Sequence, residues 1–191
     1  FDDSKWSNAE VVGEAGCKPW KYLIPRDIPQ LETTTFHIDN TIANGNYQEP
    51  TDTRDLILPA DEMANRIRDN VSYTKHYFPI SLGSCKNEFV AVDFGREVTG
   101  HVRLTFTGAH NGQQIDIGYD EKVNANGLPN PRRTAVSFAD RYYLCENQEY
   151  LEVFNARGFR YLLIDVPAGN GGIDLKGVEI DERRYPVSAK A

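Results

Sequence analysis

The chain has 191 residues, 40% of them hydrophobic and 26% charged, with a formal net charge of −7. That length and balance suit one soluble globule with a single core, predicted to span residues 1–191 as one domain, and exclude a disordered chain. No apolar run reaches the roughly 18 residues that cross a bilayer, and scattered Lys and Arg form no phosphate-binding footprint. Neither a membrane nor a nucleic acid is therefore an expected partner.

The opening Phe1-Asp2-Asp3-Ser4 does not look like a signal peptide, so the expectation is that any targeting segment has been removed or lies upstream in a longer chain. Two tryptophans follow, Trp6 and Trp20, and then Pro25 and Pro29. Prolines that close exclude a helix and predict an extended arm packing across a sheet. Trp20, with Trp6, reads either as a platform for a sugar ring or, more simply, as a pin holding that arm to the core.

The β-branched run at residues 33–38 predicts a strand. Residues 39–82 are the least regular part, and an excursion of that length is either functional or a flap. Within it, Leu56-Ile57-Leu58 and Pro59-Ala60-Asp61-Glu62-Met63 predict a strand leading into a short helix through Arg68, because Asp and Glu suit a first helical turn. Asn70-Val71-Ser72 is a glycosylation sequon, a tripeptide common by chance.

Residues 87–166 organise the rest, with short apolar runs separated by glycine and asparagine turns. Val102, Leu104 and Phe106 fall on one side of a strand, and His101, Arg103 and Thr105 on the other. Past the turn at Asn111-Gly112, Ile115, Ile117 and Tyr119 repeat that alternation, which predicts an antiparallel hairpin. Further strands are expected at residues 141–145, 150–154, 158–166 and 174–180. The fold class that follows is all-β: a jelly-roll β-sandwich of antiparallel strands with at most one or two short helices. Residues 124–133, rich in Asn, Gly and Pro, are expected to form an exposed loop.

Cys17, Cys85 and Cys145 have no Cys-x-x-Cys spacing, so zinc is not expected; one disulfide plus a thiol, or three buried thiols, both remain open. No nucleophile elbow, His-Glu-x-x-His or phosphate loop occurs. Asp120 and Glu121, as strand neighbours, diverge instead of facing each other across a glycosidic bond. The residues thus carry no enzyme signature.

Binding chemistry is easier to find. Asp39, Asn40, Asp120, Glu121, Asn124, Asn126 and Asn130 are oxygen donors of the kind that calcium takes, and a calcium ion with open positions can accept vicinal sugar hydroxyls. Each alone is more often a turn former than a ligand. Arg132, Arg133 and His101 could donate hydrogen bonds to a sugar, surface solvation being the simpler reading for each.

Several stretches carry a resemblance. They are Asp93-Phe94-Gly95-Arg96-Glu97-Val98-Thr99-Gly100-His101-Val102, Ala139-Asp140-Arg141-Tyr142-Tyr143-Leu144 and Arg157-Gly158-Phe159-Arg160-Tyr161, flanked by Pro25-Arg26-Asp27-Ile28-Pro29 and Arg184-Tyr185-Pro186-Val187. In order and spacing the chain resembles the non-catalytic β-sandwich modules of bacterial and fungal α-L-rhamnosidases. The resemblance implies a non-catalytic module of an extracellular, secreted or cell-surface glycoside hydrolase, with an (α/α)₆ catalytic domain in the same parent chain.

One branch of those modules binds L-rhamnose through Ca²⁺, and its ligands would fall on Asp39 and Asn40 with Asn124 and the Pro129 carbonyl. Asp69-Asn70 is a rival for the first pair. Other branches are structural sandwiches that brace the barrel. The expectation is a calcium-dependent module for rhamnose-containing polysaccharide, with Asp39, Asn40, Asp120, Glu121, Asn124, Asn126, Arg132 and Trp20 around the sugar.

Overall fold

A computed structural model of the chain describes residues 2–19, 21–47, 58–66, 71–133, 136–169 and 171–187. In chain order the elements are β1 (Glu32–Ile38), β2 (Ala43–Tyr47), α1 (Pro59–Arg66), β3 (Val71–Ser72), β4 (Ile80–Leu82) and β5 (Asn87–Thr107). They continue with β6 (Gln114–Asp120), β7 (Ala139–Tyr143), β8 (Tyr150–Glu152), β9 (Arg157–Val166) and β10 (Ile173–Arg184). All of the pairings are antiparallel, and the fold is an all-β sandwich.

The 21-residue β5 belongs to both layers. Its first half pairs with β2 and with β9, whose other edge takes β6 and then β7. Its second half pairs with β10 and β8, and β1 and β4 complete that layer on the far side of β10. The change of layer occurs between Asp93 and Val98, where the register shifts. Gly95 there has φ +75°, a left-handed conformation that a side chain disfavours, and the Asp93 carboxylate accepts the Gly95 amide at 2.7 Å. Two bidentate ion pairs fasten the bend, Arg160 to Asp93 (2.8 and 2.9 Å) and Arg96 to Glu182 (2.5 and 2.7 Å).

The strand alternation expected at residues 101–106 and 115–119 is present, with Val102, Leu104, Phe106, Ile115, Ile117 and Tyr119 all in the main core. The expected hairpin between those runs is not. A turn does form, with Gln113 donating to the His110 carbonyl at 3.1 Å and Gly112 at φ +79°, but β6 pairs with β7 and β9 and not with β5. The turn carries the chain from one layer to the other. Alternation shows which face is buried but is identical for strands that lie side by side and strands that oppose each other across a core.

A second, smaller core lies on the other face of the β6–β9–β5 layer. It gathers Ala43, Tyr47, Phe89, Ala91 and Leu163 under Ala60 and Met63 of α1 and under Leu128. Gly118 leaves room for that cover, since a Cβ there would stand 3.1 Å from the Pro131 ring and 3.2 Å from Met63 Cε. The helix starts where the sequence placed it, at Pro59, and ends at Arg66. Leu56 and Ile57 lie outside the described residues. Strand β2, Ala-Asn-Gly-Asn-Tyr, carries no strand signal of its own; it forms because β5 offers an edge and because Ala43 and Tyr47 are buried there. Residues 124–133 are a loop, exposed only in part: Ala125, Asn126 and Arg133 are exposed, but Leu128 is 1% exposed and Pro129 and Pro131 are buried. All three cysteines are unpaired and exposed, which sets aside both buried thiols and a disulfide.

The chain divides into two units. One is Glu32–Arg184, with all of the described strands and the helix. The other joins Phe1–Leu31 to Tyr185–Ala191; within it Arg26 Nη2 donates to the Tyr185 hydroxyl at 3.1 Å, and no described residue is in a helix or strand. Trp6 in that unit is 70% exposed, and Trp20 lies outside the described residues.

Candidate functional site

Strand β6 delivers Tyr119 and Asp120 to the rim of the sandwich, and residues 121–133 fold back over its outer face. The bridge between Val123 and Pro129, the Asn124 amide donating to the Leu128 carbonyl at 2.8 Å and Gly127 donating to the Asn124 carbonyl at 2.8 Å make a tight reversal. Gly127 sits at φ +77°, and a Cβ there would stand 3.0 Å from the Tyr73 ring. Tyr73 donates its hydroxyl to the Asn126 carbonyl. Leu128 anchors the loop in the second core, and Arg132 pairs with Asp61 of α1 at 2.5 Å.

The asparagine side chains largely build this turn. The Asn126 side chain accepts the Leu128 amide at 3.2 Å, and that of Asn130 accepts the Arg132 amide at 3.0 Å, both Asx turns. Asp120 is 5% exposed and fully engaged: it accepts the Asn130 amide at 2.7 Å, the Lys122 amide at 3.2 Å and Arg133 Nη2 at 2.9 Å. Arg133 is correspondingly held above its ordinary pKa, chiefly by that hydrogen-bonded carboxylate. The charge of Asp120 is thus spent inside the protein.

Glu121 is exposed beside it, as successive residues at a strand end should be. Across the rim, Glu97 is raised above the usual carboxylate range, first by burial and then by the charges of Glu121 and Asp120. A cavity of about 260 Å³ opens here, lined by Tyr119, Asp120, Glu121, Asn130, Pro131 and Arg133 among others. Its floor is aromatic: Tyr119 packs edge-on to Phe138 at 5.6 Å and Phe159 at 5.2 Å, and its hydroxyl donates to Asp140 at 3.0 Å.

The remaining predicted positions are elsewhere. Asn40 bridges to Tyr77, and the Asp39 carbonyl accepts the Phe78 amide at 3.3 Å. Asp39 lines a separate cavity of about 380 Å³, on the β1–β10 edge of the other layer, with His37, Tyr77, Thr105, Lys176 and Glu179. No hydrogen bond or ion pair among the described residues joins Asp39 or Asn40 to Asn124 or Pro129. Among the described residues no three His, Cys, Asp or Glu side chains form a metal-binding group. The set implied by resemblance combines the Asp39 carboxylate with amide and carbonyl oxygens; of its four members, Asn124 and Pro129 stand on the two arms of one reversal, and Asp39 and Asn40 stand elsewhere. The rival pair Asp69-Asn70 lies outside the described residues, although Tyr73, tethered to Asn126, follows it closely in the chain. His101 is committed too, its Nδ1 lying 3.1 Å from the Val153 carbonyl.

Sequence reasoning did not anticipate the second cavity, because its walls come from residues 37–39, 77–78, 105 and 176–179. Nor did it pair Arg133 with Asp120; the signal available was only a basic residue thirteen positions beyond a strand end.

Comparison with known proteins follows from this geometry. A search of curated proteins by sequence finds no match. Among solved structures the chain is similar to a GH78 family rhamnosidase of Bacillus sp. GL1, with 19% identity and a TM-score of 0.58 over 69% of this chain and 15% of that one. It is also similar to the α-L-rhamnosidase from Dictyoglumus thermophilum (22% identity, TM-score 0.40, 65% and 16% of the two chains). A rhamnosidase from Klebsiella oxytoca with rhamnose bound gives 10% identity and a TM-score of 0.43 over 79% of this chain and 30% of that one. The chain therefore spans between 15% and 30% of the rhamnosidase chains it matches. Residues 84–180, just over half of the chain, match the model of the bacterial alpha-L-rhamnosidase concanavalin-like domain, and the chain belongs to that family.

Proposed function

We propose that this domain is an accessory module of an α-L-rhamnosidase that recognises L-rhamnose-containing glycans with the help of a calcium ion, outside the cell. The observation that supports this reading is the reversal at residues 123–129, which brings the backbones at Asn124 and Pro129 close together in the loop that, through Asn130 and Pro131, also walls the rim cavity. Amide and backbone carbonyl oxygens are hard donors suited to Ca²⁺. A bound ion would supply a Lewis-acidic centre for two vicinal hydroxyls, while the chain positions the sugar: Phe138 and Pro131 offer apolar surface, and Glu121 and Asn130 offer acceptors and donors at the rim. Asp39-Asn40 and Asp69-Asn70 are the two candidates for the acidic ligand pair.

The test is calorimetry of L-rhamnose binding with calcium and with EDTA, on the native chain and on Asn124→Ala, Asp39→Ala and Asp69→Ala. Calcium modules of this kind bind at about 10⁻⁴ to 10⁻³ M, so heat should appear only with calcium. It should vanish in Asn124→Ala and in one of the two Asp variants. Absence of heat in both conditions removes the reading.

A second reading has its own support. Val11, Val12, Tyr22, Leu23 and Ile24 are 73–99% exposed in the Phe1–Leu31 unit, an apolar display suited to bracing a catalytic barrel in the parent chain. That role predicts no sugar binding and a rise in barrel stability when the two are joined.

A further inference from the structure

The cavity on the β1–β10 edge lies on the other layer from the rim cavity, and Asp39 is the one residue of its lining that is also a candidate ion ligand. Its floor is Gly177, where the register of β10 shifts against β5; a Cβ on Gly177 would stand 3.1 Å from Thr105 Oγ1. One wall is Tyr77, 67% exposed, and the other is His37 with Glu179, whose side chains meet at 3.0 Å. Lys176 and Asp39 complete the lining, Lys176 with its Nζ 3.8 Å from the Asp174 carboxylate.

The chemistry of these groups is mixed in a particular way. His37 and Lys176 donate, Asp39 and Glu179 accept, and Thr105 does both. An anion would meet two carboxylates, and a simple cation would meet Lys176, so neither is matched. A neutral pyranose is: its hydroxyls are donors and acceptors at once, and its C–H face packs on an exposed aromatic ring. The volume of about 380 Å³ lies within the range of small-molecule sites, at roughly 300–1,000 Å³. His37 is already oriented by Glu179, so a ring nitrogen is held for the ligand without a further ordering cost.

We infer that this cleft is a second saccharide subsite, specific for a neutral sugar ring and independent of calcium. It rests on the reading of the domain as a saccharide-binding module, and it makes that module bivalent. Two subsites on different layers engage one long polysaccharide more tightly than either does alone.

The experiment uses the full chain in excess EDTA, with methyl α-L-rhamnoside and a neutral β-1,4-linked glucose oligosaccharide as probes, read by calorimetry and ligand-observed NMR. At least one probe should bind saturably. Tyr77→Ala should weaken that binding by about fivefold or more, as loss of an aromatic platform does, and Lys176→Ala, at a side chain 42% exposed, should weaken it without affecting the fold. Asn124→Ala should leave it unchanged, whatever it does to calcium-dependent binding. No binding in EDTA overturns the inference while leaving the rim reading intact. So does EDTA-resistant binding that both Tyr77→Ala and Lys176→Ala retain, and so does loss of all binding in EDTA together with loss of the calcium-dependent heat in Asp39→Ala, which would assign Asp39 to the ion.

Discussion

Asp120 is the residue at which composition and geometry part company. In sequence it is one oxygen donor in a run of them; in the fold it is 5% exposed and bound by Arg133 and two backbone amides. A carboxylate so engaged holds the loop in place. Asp120→Ala should therefore cost about 2 kcal/mol, below the value for a fully buried pair because Arg133 is one-third exposed and stays solvated. Thermal unfolding in EDTA checks this, with a midpoint drop of roughly 4–8 °C expected. Asn124→Ala should leave that midpoint unmoved, and equal drops in both variants would show that the two asparagine-loop positions share one structural role. The oxygen-rich character of the loop was legible from composition. Which oxygens are already satisfied was not, because that depends on a guanidinium and on amides placed only by the folded turn.

At the scale of elements, the bend in β5 decides the architecture, and ion pairs hold it. Arg96 and Glu182 are 86 positions apart, and Arg160 and Asp93 are 67 apart, so no local pattern could announce them. The strands themselves were legible at residues 33–38 from a β-branched run, at 150–154 and 174–180 from alternation, and at 158–166 from a largely apolar run that is buried on both faces from Leu162 to Val166. Strand β2 was not, since tertiary pairing overrides a poor propensity. The clamp makes a pH prediction. Glu182 is 8% exposed and held below its ordinary pKa of 4.5, first by the hydrogen bonds from Arg96. A carboxylate depressed in the folded state stabilises the fold above its unfolded pKa, and that contribution is lost as pH falls through the folded value. Denaturant midpoints should thus decline below about pH 4.5, and Glu182→Gln should be less stable at pH 7 but show a shallower decline between pH 4.5 and 3. Parallel pH profiles for the two proteins would remove Glu182 from the acid response.

For the whole molecule, Glu32 pairs with Arg184, so the first and last strands of the larger unit close on each other at their outer ends. Both cores lie inside Glu32–Arg184, and both proposed subsites are built from residues within it. By contrast, the large apolar side chains described in Phe1–Leu31 are exposed, from Leu31 at 45% to Val12 at 99%. The sequence supports a sandwich because its periodic runs span residues 87–180, but proline-rich residues at 25–29 could be read only as an arm, not as a separate unit. A chain trimmed to Glu32–Arg184 should accordingly keep a cooperative unfolding transition and strand-type circular dichroism, because little buried apolar area leaves with residues 1–31. It should also keep calcium-dependent rhamnose binding. Loss of cooperative unfolding on trimming would show that the first 31 residues contribute to the fold itself, and retained folding with lost binding would move the sugar site into them.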